Sequence, residues 1–87
     1  MGEPRRLDQR LREVLDFERG WWKGSGPKER RIRERFGVSA ARYHQLLDRA
    51  IDRPEALTYD PLLVLRLRRL REVRRRRRFA GGFGLER

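Results

Sequence analysis

The arginines of this chain are its residues with the clearest chemical meaning. Arginine supplies 22 of the 24 basic residues, and the 87-residue chain carries a formal net charge of +11. A guanidinium group can donate two parallel hydrogen bonds to one phosphate, which the ammonium group of lysine cannot do. A surplus of this kind suits three classes of partner, which are nucleic acid, an anionic membrane surface and an acidic protein surface.

Residues suited to catalysis are few. The chain has one histidine, His44, and no cysteine, which leaves no catalytic triad, no thiol dyad and no thiolate zinc site. Glu18 falls on the apolar side of a predicted helix, but no second group converges on it. We therefore expect its carboxylate to accept backbone N–H groups or to pair with an arginine. The sequence predicts a protein that is not an enzyme and has no cofactor, metal or small-molecule substrate.

The charge is concentrated near the C-terminus. Residues 1–60 contain 14 basic and 11 acidic residues, whereas residues 61–87 contain 10 basic and 2 acidic residues. The longest apolar run, residues 62–65, is far too short to span a membrane. The cationic segment also has no aromatic-rich apolar face with which to lie on a bilayer. These features predict a cytoplasmic protein that does not bind membranes.

The length and the helical spacing of apolar residues predict one small all-α domain. We expect three main helices, a short helix and a long basic C-terminal helix. Residues 1–6 form a polar leader, residues 7–73 the helical domain, and residues 74–87 an arginine-rich mobile tail.

Glycine, serine and proline residues mark where the predicted helices begin and end. Pro54 and Pro61 each suit the first turn of a helix, where a missing N–H costs nothing. The predicted helices cover about residues 7–22, 27–36, 40–51, a short segment from 54, and a last segment from 61 into the arginine run. The apolar stripe of the last helix comprises Leu62, Leu63, Leu67, Leu70 and Val73.

The segment RERFGVSAARYHQLL, residues 33–47, has the pattern of a helix-turn-helix. Gly37 can end one helix in the left-handed conformation, and Ser39 can cap the next. The template requires apolar residues at five offsets from the glycine, and the chain supplies Ile32, Phe36, Val38, Tyr43 and Leu46. Arg33 occupies a position where the template prefers a small residue.

Two resemblances rest on this segment and its surroundings. REVLDFERGWW followed by IRERFGVSAARYHQLLDRAI resembles the promoter-reading C-terminal domain of bacterial sigma factors. With IDRPEAL and DPLLV.RLRRLR added, the chain is more similar to a family of short, uncharacterised helix-turn-helix proteins of high-GC Gram-positive bacteria. The sigma resemblance implies that bases are read from Ala40, Ala41, His44 and Gln45, two of which are alanines.

The third helix has no net charge, so the affinity for a phosphate backbone must come from the second helix, which has a net charge of +3, and from the arginines after residue 65. Arg42 and Arg49 are equally suited to phosphates and to ion pairs with Asp48 and Asp52. The predicted nucleic-acid contacts are Arg30, Arg31, Ser39, Ala40, Ala41, Arg42, His44, Gln45, Arg49, Arg66, Arg69, Arg74, Arg75, Arg76, Arg77 and Arg78.

Together these features predict a DNA-binding transcriptional or nucleoid factor, with DNA preferred over RNA as the partner. One alternative is a protein-interaction module that docks on RNA polymerase or another transcription component. A second is an RNA- or ribosome-associated protein that binds through its arginine tail. The oligomeric state is left open.

Overall fold

The fold is all-α, as predicted, in the computed structural model, which describes residues 6–82 and side chains as far as residue 79. Within residues 6–82 no strand occurs, and no helix is both long and apolar enough to cross a membrane. The elements, in chain order, are α1 Gln9–Gly20, a 3-10 turn Trp21–Lys23, α2 Lys28–Phe36, α3 Ala40–Asp52, α4 Pro54–Tyr59 and α5 Pro61–Gly82.

The helix boundaries follow local chemistry. Asp8 caps α1, because its carboxylate accepts a hydrogen bond from the Arg10 N–H at 2.8 Å. Gly20 ends α1 two residues earlier than expected, and the two tryptophans continue as a 3-10 turn. Pro54 and Pro61 begin α4 and α5, as their spacing predicted.

The corner between α2 and α3 forms as the sequence predicts. Gly37 has a φ of 69°, the left-handed conformation, and its N–H donates to the Arg33 carbonyl at 2.8 Å. The Ser39 hydroxyl accepts a hydrogen bond from the Arg42 N–H at 3.1 Å and so caps α3. Arg33 avoids the crowded position between the helices because its side chain is exposed.

The core lies where α1 and α3 pack together, with α2, α4 and α5 closing its sides. The three rings of Phe17, Phe36 and Tyr43 meet at the corner, with centroids 5.5 to 5.6 Å apart. The buried apolar residues are Leu7, Leu11, Val14, Leu15, Ile32, Tyr43, Leu46, Leu47, Ala50, Ile51, Ala56, Leu63, Val64 and Leu67.

The predicted apolar stripe of α5 is wrong at two positions. Leu63 and Leu67 are buried, but Leu62 is 81% exposed and Leu70 is 42% exposed. The helix presents only its Leu63–Val64–Leu67 side to the body, and Leu62 lies about 100° from Leu63 around the axis.

The last helix enters the arginine run, as the sequence predicts. It continues through Arg74–Arg78 to Gly82, because arginine favours a helix and no glycine interrupts the segment before Gly81. Residues 83–87 and 1–5, the remainder of the predicted tail and most of the predicted leader, lie outside the described residues.

Candidate nucleic-acid interface

The first turns of α3 present four of the predicted base or phosphate contacts. Ala41, Arg42, His44 and Gln45 are exposed, and Arg42 Nη1 donates to Gln45 Oε1 at 3.1 Å. Ala40 is half-buried. The Ser39 hydroxyl is engaged in capping the helix. This end of α3 therefore offers few long polar groups to a base pair.

The second half of the same outer face is acidic. Positions 41, 45, 48 and 52 fall along one line of the helix, because they are spaced by four, three and four residues. The Asp48 and Asp52 side chains are 62% and 59% exposed. Two carboxylates on this line oppose the approach of phosphates.

Arg71 of α5 binds both of these carboxylates. Its guanidinium donates to Asp52 Oδ1 at 2.6 Å, and its Nη1 lies 3.7 Å from Asp48 Oδ1. The hydrogen bond from Arg71 holds the pKa of Asp52 below its ordinary value. Of the two alternatives for Arg42 and Arg49, the ion pairs with these aspartates do not form, because Arg71 occupies both carboxylates and Arg42 donates to Gln45. Arg49 is exposed.

Helix α2 provides fewer free cations than its net charge suggests. Lys28 Nζ lies 3.0 Å from Glu18 Oε2, and Arg35 Nη2 lies 3.8 Å from Glu13. Arg31, a predicted phosphate contact, is half-buried and donates to the Trp21 carbonyl at 2.7 Å. These three side chains hold α2 against α1 and the 3-10 turn.

Arg30 and Arg33 are the cations of α2 whose side chains form no ion pair or hydrogen bond within the described residues. Both are exposed, and both line a shallow groove with Glu29 and Glu34. Nearby acidic groups reduce their attraction for phosphate. Helix α2 is therefore a minor part of the candidate interface.

Glu18 has the partner that its position demands, but the partner is not an arginine. Its carboxylate is 9% exposed, accepts a hydrogen bond from Tyr43 Oη at 2.6 Å, and pairs with Lys28. Burial, and next the hydrogen bond to Glu18, raise the pKa of Tyr43 far above its ordinary value. The Lys28 ammonium also lies 5.3 Å from the Trp21 ring centroid. This cluster joins α1, α2 and α3 and is internal to the fold.

The first half of α5 is anchored to the end of α3. Arg68 Nε donates to the Ile51 carbonyl at 2.6 Å, which satisfies a backbone group in the last turn of α3. Together with the Arg71 contacts and buried Leu67, this bond fixes the direction in which α5 leaves the body.

The second half of α5 is a basic arm, defined as Arg74–Phe79. Every side chain of the arm is exposed. Arg75 Nη2 and Arg76 Nε each lie 3.8 Å from the Glu72 carboxylate, which is a weak surface contact. Arg66 and Arg69, earlier on α5, are exposed as well. Helix α5 as a whole carries nine arginines and one glutamate.

An exposed apolar surface lies on the side of α5 that faces away from the core. Leu62 and Leu65 are 81% and 54% exposed, and Trp22 is 61% exposed. Trp22 and Leu62 line one shallow groove together with Arg19, Lys23 and Arg66. This surface is not predicted from the sequence, because Leu62 fits the apolar stripe of α5 and is assigned to the core.

Residues 6–79 match the model of DUF3263, described as a protein family of unknown function. The chain belongs to the DUF3263 family. The matched region includes both the helical body and the arm, so the arginine run is part of the family's domain. A search of curated proteins and a search of solved structures found no match to the chain.

Proposed function

We propose that this DUF3263 protein is a small DNA-associated factor of the transcription machinery or the nucleoid, held on DNA mainly by the arginines of α5. One observation carries the proposal. The arm places five consecutive arginines, Arg74–Arg78, in the solvent on a helix that is anchored to the body. Phosphate contacts of this kind supply affinity and orientation without reading sequence.

The outer face of α3 supports a weak role in base reading. Gln45 can bond the edge of an adenine, and Ala41 can touch a thymine methyl group. Asp48 and Asp52 farther along the same face limit how deeply α3 can approach a phosphate backbone. Base recognition by α3, as the resemblance to sigma factors implies, is therefore a minor part of the proposal.

Binding to two unrelated duplexes tests the proposal. We expect the protein to bind both with similar affinity in a fluorescence anisotropy titration. Replacing each of Arg74–Arg78 by glutamine should weaken binding to both duplexes alike. Gln45→Ala is the matched comparison, and it should change only the ratio between the two affinities. Loss of arm arginines without loss of affinity would refute the proposal.

A second candidate function is docking on a protein of the transcription machinery. The observation that favours it is the exposed surface formed by Trp22, Leu62 and Leu65, because exposed apolar patches mark interaction sites. Purified RNA polymerase, treated with nuclease, is the direct probe. Docking would be supported if the polymerase retains the wild-type chain but not the Leu62→Ser variant. Equal retention of the two chains would exclude this surface as the docking site.

A further inference from the structure

We propose that the basic arm, Arg74–Phe79, binds by lying as a helix in the major groove of duplex DNA. This inference rests on the proposed DNA association and adds the groove and the conformation in which the arm binds. Three features of the arm carry it: the spread of its cations around the helix, its width, and its fixed attachment to the body.

The arginines of the arm leave no side of the helix without a cation. Successive residues are about 100° apart, so five consecutive arginines exceed one full circle around the axis. A helix resting on a flat anionic surface would use the cations of one side only. The major groove instead has phosphates along both walls, so cations on opposite sides of one helix can be neutralised together.

The width of a helix selects between the grooves. An α-helix with its side chains measures about 10–12 Å across. The major groove of B-DNA is about 12 Å wide and admits it, whereas the minor groove is about 6 Å wide. The major groove of duplex RNA is deep and narrow, so the same helix does not fit it. As a helix, the arm therefore fits the major groove of duplex DNA better than the minor groove of DNA or the major groove of duplex RNA.

The arm is held in a set direction before it meets DNA. Arg68 bonds the end of α3, and Arg71 binds Asp52, within two turns of Arg74. A pre-positioned helix loses less conformational entropy on binding than a disordered tail. Arg74 and Arg78 repel each other across one turn in the free protein, and phosphates remove that repulsion. Binding should therefore stabilise the helix that the arm already forms.

The first experiment separates a helical arm from an extended one. Arg76→Pro and Arg76→Gln remove the same charge, but only the proline breaks the helix. For a duplex of about two helical turns, we expect Arg76→Gln to weaken binding by about threefold, or one phosphate contact. Arg76→Pro should weaken it by about tenfold or more if the helix is required. Equal affinities of the two variants would overturn the inference.

The second experiment identifies the groove. We expect a duplex whose cytosines carry bulky glucosyl groups in the major groove to bind much more weakly than the unmodified duplex. Netropsin, which fills the minor groove, should leave the affinity unchanged. Displacement by netropsin, or equally tight binding to duplex RNA of the same sequence, would contradict the inference. Circular dichroism of the complex should show that the helical content of the free protein is retained, and a loss of helix on binding would count against the inference.

These outcomes are distinguishable from failure of the proposed function. If the wild-type chain binds no duplex in the same titration, DNA association itself is refuted. If the wild-type chain binds but both Arg76 variants bind alike, DNA association stands and only the helical arm in the major groove is refuted. Because the arm is not part of the core, each variant should keep the melting temperature of the wild-type chain. This measurement verifies that the body is folded.

Discussion

At the scale of single residues, Glu18 shows how a buried carboxylate is accommodated. It lies on the apolar side of α1, and it is satisfied by the Tyr43 hydroxyl and the Lys28 ammonium from two other helices. Removing one partner of such a cluster leaves the others buried without compensation, which costs more than the pair contributes. The cluster therefore fixes how α1, α2 and α3 meet.

We predict that Glu18→Ala lowers the free energy of unfolding by about 2–3 kcal/mol. Glu13→Ala is the matched control on the same helix. Its pair with Arg35 is 3.8 Å long and half-exposed, so its loss should cost less than about 1 kcal/mol. Urea denaturation measures both values, and equal costs would show that the cluster is not a special constraint.

The two tyrosines should titrate differently. The pKa of Tyr59 is raised by its hydrogen bond to Asp16, and the pKa of Tyr43 is raised far more, chiefly by burial. Because the pKa of Tyr43 is raised on folding, its contribution to the free energy of unfolding is fully present below pH 10.0, the ordinary tyrosine pKa. This contribution decreases as the pH rises above that value.

In a Tyr59→Phe variant, tyrosinate absorbance should therefore appear only when circular dichroism shows unfolding. In Tyr43→Phe, the remaining Tyr59 should ionise above pH 10 while the chain is still folded. Ionisation of Tyr43 near its ordinary value in a folded protein would contradict the burial and the hydrogen bond described above.

At the scale of the elements, the corner between α2 and α3 depends on Gly37. Its φ of 69° is unfavourable for a residue with a side chain, and a Cβ there would meet nothing within 4 Å. The cost of Gly37→Ala is therefore purely conformational, and we expect about 1 kcal/mol of destabilisation.

Gly20→Ala serves as the control for that prediction. A Cβ at Gly20 also meets nothing within 4 Å, but the backbone φ is −135°, which any residue can adopt. This substitution should be neutral or stabilising by up to about 1 kcal/mol, because it restricts the unfolded chain. Thermal denaturation compares the two variants, and a similar change in both would show that the left-handed corner is not strained by alanine.

These elements also show what sequence reasoning could reach. Gly37, Ser39, Pro54 and Pro61 act through the backbone next to them, so the helix starts and the corner were predictable. The number and order of the helices followed from the same signals.

The contacts between helices were not predictable from spacing alone. Lys28 pairs with Glu18, ten residues earlier in the chain. Arg71 of α5 binds Asp52 of α3, and the two residues are nineteen positions apart. Leu62 fits a helical stripe but lies on the exposed side, because the direction in which α5 crosses the body decides which side is covered. In the candidate interface, the arginine run could be predicted from the sequence. The hydrogen bond from Arg31 to the Trp21 carbonyl could not.

At the scale of the whole molecule, the surplus of positive charge is concentrated in one helix. Helix α3 has no net charge, and three of the five cations of α2 contact groups in α1 or the 3-10 turn. Helix α5, in contrast, carries nine arginines and one acidic residue, Glu72. The exposed leucines Leu62 and Leu65 lie at the anchored end of α5, away from the arm. This distribution agrees with the proposed binding of DNA at the C-terminal end of α5, and it leaves Leu62 and Leu65 exposed at the other end.

The salt dependence of DNA binding tests this arrangement most directly. With about five to eight phosphates contacted, log K should fall against log salt concentration with a slope of about −0.9 per phosphate. Replacing Arg77 and Arg78 by glutamine should reduce the magnitude of that slope by nearly two, at about 0.9 for each contact removed. The same replacements at Arg6 and Arg10, exposed residues at the start of the domain, lower the net charge equally and should leave the slope unchanged. Equal slopes for the two double variants, or binding that does not depend on salt, would contradict the account.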